Sequence, residues 1–88
     1  MDNVYCVAGF NNRYDSFRFK QILDNNGIFS TVIDTPSEIN SECSLSIRFS
    51  SYDLNAVRFI ESKIKSASFV GFYKVEEGVS RRKVTRIY

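Results

Sequence analysis

SLSIRFS, residues 44–50, is the stretch on which the fold turns. Leu45, Ile47 and Phe49 alternate with Ser46, Arg48 and Ser50, the period of two of a strand with one face on a core and the other toward water. The phase follows: Phe49 belongs inward with Leu45 and Ile47, and Ser46 and Arg48 belong outward. After this strand, YDLNAVRFIESKI (52–64) spaces Leu54, Val57, Ile60 and Ile64 by three and four residues, the apolar stripe of a helix. FVGFYKV (69–75) then reads as another strand. Before it, IFSTVID (28–34) is β-branched and aromatic and is closed by Pro36, the only proline, which cannot donate to a ladder.

The N-terminal third completes the series. VYCVAGF (4–10) is an unbroken apolar run of strand length. In SFRFKQILDNN (16–26), Phe19, Ile22 and Leu23 share one helical face, Asp15 is placed to cap the helix, and Gly27 to stop it. The order β-α-β-β-α-β with short connections predicts an α+β, ferredoxin-like βαββαβ fold: a four-stranded antiparallel sheet carrying both helices on one face. Residues 1–77 form this single domain, and 78–88 follow as a basic tail.

Composition narrows the function classes. The 88 residues are 43% hydrophobic and 25% charged, the balance of a globular chain with one modest core. No apolar run approaches the roughly 18 residues that a membrane-spanning helix needs, and MDNVYCVAGF lacks the features of a signal peptide, so a cytoplasmic location is expected. The absence of histidine removes Ser-His and Cys-His nucleophiles and an imidazole base. Two cysteines 37 positions apart make neither a zinc site nor, in a reducing compartment, a structural disulfide. No metal and no cofactor is expected. Cys6, between Tyr5 and Val7, reads as a small buried hydrophobe. If the chain is chemically active, thiol chemistry without histidine is the leading route.

The net charge of +2 conceals an asymmetry. Arg81, Arg82, Lys83 and Arg86 stand in a tail without an acid, while the remaining chain is weakly acidic. A frayed, solvated terminus is the simplest reading of this tail. A contact with phosphates or an acidic protein is a second. Addition of VTRIY (84–88) as a strand at a sheet edge, in cis or in a neighbouring copy, is a third.

The elements together with DSFRFKQILDNNGI (15–28) and TPSEINSECSLSI (35–47) resemble a small bacterial family, the selenium/sulfur carrier protein-like proteins. The resemblance covers roughly residues 4–75, nearly the whole of the predicted domain. Its most specific part is Thr35-Pro36-x-Glu38-Ile39 followed by Cys43, with Asn26-Gly27-Ile28 marking the end of the first helix. Ser37 stands where members carry a basic residue, and Glu42 and Ser44 where they carry glycines; glycine would let the backbone approach a sulfur-bound ligand more closely. The resemblance implies a carrier whose loop cysteine, Cys43, accepts a persulfide, with Thr35, Pro36 and Glu38 shaping the site. A cysteine desulfurase or other sulfurtransferase would be the partner. Such a carrier is a substrate of its partner enzymes rather than a turnover enzyme.

The topology adds a geometric expectation. Cys43 should lie at the end of the sheet where the first helix begins, and where the strand after Lys63 and Lys65 returns. A helix N-terminus favours a thiolate, and Arg13 in the same connection would stabilise it further. Glu38, Glu42 and Asp15 oppose this by like charge. Read from the residues alone, Cys43 is equally a loop residue with an incidental thiol.

The alternative function class is a non-catalytic interaction or regulatory domain, binding a protein or polyanion through its basic tail or open sheet face, or pairing as a homodimer through that face. RNA recognition by the sheet is disfavoured, because Phe49 is in the core phase and no RNP-like run exists.

Overall fold

Asn12, rather than Asp15, starts the first helix. In the computed structural model, which describes residues 3–39, 45–78 and 81–87, the Asn12 side chain accepts the Tyr14 and Asp15 amides at 2.8 and 3.4 Å. It thereby takes two of the amide donors that a helix start leaves unpaired. Strand β1 (Val4–Phe10) precedes this cap and helix α1 (Arg13–Asn25) follows it. The helix ends at the predicted glycine. Gly27, at φ +72°, donates to Asp24 O at 3.0 Å, and Ile28 donates to Leu23 O at 2.9 Å. This paired closure is the Schellman motif, which favours glycine at the left-handed position. Because Ile28 is used in that closure, strand β2 begins later than predicted, at Ser30–Asp34.

Strand β3 spans Leu45–Ser50, and a single 3-10 turn, Ser51–Asp53, leads into helix α2 (Leu54–Ile64). The Ser50 hydroxyl caps that turn by accepting the Tyr52 amide at 3.2 Å. Helix α2 closes on Lys65, a left-handed residue without the freedom of glycine. The Glu61 carboxylate supports this closure, accepting the Ser66 amide at 2.9 Å and the Ser66 hydroxyl at 3.2 Å. Strand β4 (Phe69–Glu77) and strand β5 (Arg82–Arg86) complete the described elements.

All strand pairs are antiparallel, in the order β2-β3-β1-β4-β5. The described sheet is thus five-stranded, and the expectation of four strands is corrected. Residues 82–86 pair along β4, with Val84 opposite Val75 and Arg82 opposite Glu77. Two apolar anchors explain why this basic segment is held: Val84 packs on one face of the sheet, and Ile87 packs against the core of the other.

Each face carries its own core. On one, both helices contribute to a single cluster, Phe19 and Leu23 from α1 and Val57 from α2 against Cys6, Ala8, Phe10, Ile47, Phe49 and Phe72. The predicted phase of β3 therefore holds, and Phe49 meets Phe72 edge-on with ring centroids 6.2 Å apart. On the other face, Tyr5, Val7, Tyr73 and Val75 form a second buried cluster with Ile39, a residue outside every strand.

Candidate functional site

A sheet face that holds Val7 and Val75 at 0% exposure must be covered by something. The cover is the segment following β2. Pro36 and Ile39 are buried, and Ile39, at 4% exposure, sits among Tyr5, Val7, Tyr73 and Val75 of β1 and β4. The Ile39 amide donates to Pro36 O at 2.9 Å, closing the segment into a turn. Thr35 and Ser46 share a hydroxyl hydrogen bond at 2.8 Å. The Glu38 carboxylate receives the Arg82 Nε donor at 2.9 and 3.2 Å.

TPSEI thus leaves one edge of the sheet, crosses β3, β1 and β4, and is pinned to β5 at the other edge. The Arg82 hydrogen bond, followed by the Glu38 backbone, holds the Glu38 carboxyl below its ordinary range. Reciprocally, Glu38 holds the Arg82 guanidinium charged, with Tyr5 acting in the same direction. The pair is partly exposed, so its contribution is orientation of the segment more than net stability.

The predicted site residues fall at several places. Thr35, Pro36 and Glu38 all belong to the pinned segment. Arg13 is the exposed first residue of α1. Cys43 lies outside the described residues, and so do Glu42 and Ser44. The described chain resumes at Leu45, whose carbonyl accepts the Ser16 hydroxyl at 3.2 Å. The start of β3 is therefore held against the first turn of α1. Asn11 donates to Ser68 O at 3.0 Å, and the Ser68 hydroxyl donates to Asp15 Oδ2, so the start of β4 reaches the same end.

Of the four basic residues expected to face a partner, Arg82 holds Glu38 and Arg86 donates to Val70 O at 3.1 Å. Arg81 and Lys83 are exposed. Cys6 is the buried residue expected, at 1% exposure. Burial raises its thiol above the ordinary range, partly opposed by Lys74, so it is both shielded and a poor thiolate.

Three features of the site were not read from the sequence. Ser46, in the wet phase of β3, is fully buried beneath the segment as the partner of Thr35. Ile39 is a core residue although it stands in a polar loop. Arg82 reaches Glu38 across 44 positions. The one available signal was an isolated isoleucine within a polar run.

The described residues contain no group of three side chains suited to a metal ion, and no helix among them is long and apolar enough to cross a membrane.

These features define a small α+β domain, helices on one sheet face and a strap across the other. Residues 5–70 match the family model described as "Putative Se/S carrier protein-like", and the chain belongs to that family. No curated protein and no solved structure matches it.

Proposed function

We propose that the protein is a cytoplasmic sulfur or selenium carrier that holds the transferred atom on Cys43, within a ferredoxin-like unit extended by β5. The observation that carries this reading is the strap. The TPSEI residues leading to Cys43 in sequence are fixed by a buried isoleucine, a hydroxyl pair and an ion pair, while the family match supplies the class of cargo.

In the step itself, the Cys43 thiolate attacks the outer sulfur of a donor cysteine persulfide. A bond forms between the Cys43 sulfur and the transferred sulfur, and the donor S–S bond breaks. The donor cysteine leaves as a thiolate and takes up a proton, balancing the proton that Cys43 gave to solvent. No net oxidation occurs. Arg13, exposed at the start of α1, serves to stabilise the Cys43 thiolate.

The test is incubation of wild type and Cys43→Ser with a cysteine desulfurase and cysteine, followed by intact-mass measurement. The expected result is a one-sulfur mass increment on wild type that is absent from Cys43→Ser. Wild type without the increment, beside a second carrier that the same desulfurase loads, overturns the proposal.

A further inference from the structure

The strap covers only part of the second sheet face. Beyond it, at the end of the sheet away from Leu45, the described residues leave the face open around a hollow of about 310 Å³ lined by Tyr5, Phe29, Thr31, Arg48, Ser50 and Tyr52 among others. Cross-strand register accounts for this grouping. Tyr5 of β1 stands opposite Ser50 of β3, and Arg48 of β3 opposite Thr31 of β2, so these side chains share the face that the helices leave free. Phe29 precedes β2 and Tyr52 follows β3, bringing two aromatic side chains to the rim.

Three observations point to a ligand. Phe29 and Tyr52 are 84% and 88% exposed, large apolar rings that folding leaves in water at a concave site. The Arg48 guanidinium lies 3.8 Å from the Tyr5 ring centroid, a cation–π contact that fixes its position before any ligand arrives. Among the described residues, Arg48 is in no ion pair and no carboxylate lines the hollow. A cation oriented on a ring, with no acid facing it among the described residues, next to exposed rings and two hydroxyls fits a planar ring system carrying an anion.

We propose that this hollow binds a nucleotide, the base stacking on Phe29 and Tyr52 and the phosphate pairing with Arg48. Thr31 and Ser50 supply hydroxyls to base or sugar. The hollow is lined by none of the strap residues Thr35–Ile39. The core phase of Phe49 and the lack of an RNP-like run disfavour base recognition by the strands; the rings of Phe29 and Tyr52 come from outside them.

The experiment is titration of the isotopically labelled full chain with AMP, followed by amide NMR shifts. Saturable shifts centred on Thr31, Arg48, Ser50 and Tyr52 are expected. Adenosine, lacking the phosphate, should bind about tenfold more weakly, as loss of one charge-assisted hydrogen bond implies. Arg48→Gln and Tyr52→Ala each remove an exposed group, so the fold should persist, and each should weaken AMP by about tenfold. A short oligoadenylate that binds more tightly through the same residues supports the site and identifies a nucleic-acid strand as its source; no such gain identifies a free nucleotide. Absence of saturable shifts with both AMP and the oligoadenylate, or binding that survives in both variants, overturns the proposal.

Discussion

Two glutamates give this protein opposite responses to pH. Glu38, hydrogen-bonded to Arg82, titrates below the ordinary 4.5. The folded state therefore binds fewer protons than the unfolded chain, and the associated stability, present above the unfolded pKa, is lost as pH falls through the folded one. Glu61 titrates above 4.5, chiefly because burial penalises its charge, with Asp15 adding repulsion against the Ser66 hydrogen bonds. Here the folded state binds more protons, so stability declines as pH rises from the unfolded value through the raised one. Urea-unfolding midpoints measured against pH should show both limbs. Glu38→Gln should flatten the acid limb and Glu61→Gln the limb above about 4.5. A slope above that pH which persists in Glu61→Gln would assign it to another group.

Among the elements, the strap behaves as core rather than loop. Ile39 is 4% exposed and touches residues of β1 and β4, so Ile39→Ala removes buried methyls from a packed site. It should cost about 2–4 kcal/mol in urea unfolding, as truncations of buried aliphatic residues do. An exposed loop position would change stability by only about 0.5 kcal/mol or less, and a result of that size would mean that the segment does not cover the sheet. The hydroxyl pair of Thr35 with Ser46 explains how a strand can bury a serine here: the strap supplies the partner that water supplies elsewhere.

At the scale of the whole molecule, β5 joins the two cores. Val84 contacts the strap-side cluster and Ile87 the helix-side cluster, while the Ile87 amide donates to Phe72 O at 2.8 Å. Arg82 of the same strand holds the strap through Glu38. Removal of residues 79–88 should therefore lower unfolding stability by about 2–4 kcal/mol, from two partly buried aliphatic side chains and a lost ladder. It should also expose the edge of β4, so the truncated chain should self-associate at high concentration in sedimentation experiments. A truncated chain with unchanged unfolding midpoint would restore the reading of a solvated tail.

The sequence by itself determined the six elements from β1 to β4 and the phase of β3 and of both helices. Period two placed Ile47 and Phe49 in the core, periods of three and four set the buried faces of both helices, and Asn26-Gly27-Ile28 ended α1 where only a left-handed residue closes the turn. These features were legible because neighbouring residues along one element report its local geometry. Thr35-Pro36-x-Glu38-Ile39 was visible as a motif, but its place was not. Only the tertiary structure decided that this motif lies across the sheet, that Ser46 is buried beneath it and that Arg82 meets Glu38. Residues 82–86 likewise became a strand through the packing of Val84 on one core and of Ile87, the next residue, on the other. No period encodes contacts between residues 11 or 44 positions apart; they exist only once packing has brought distant segments onto one face.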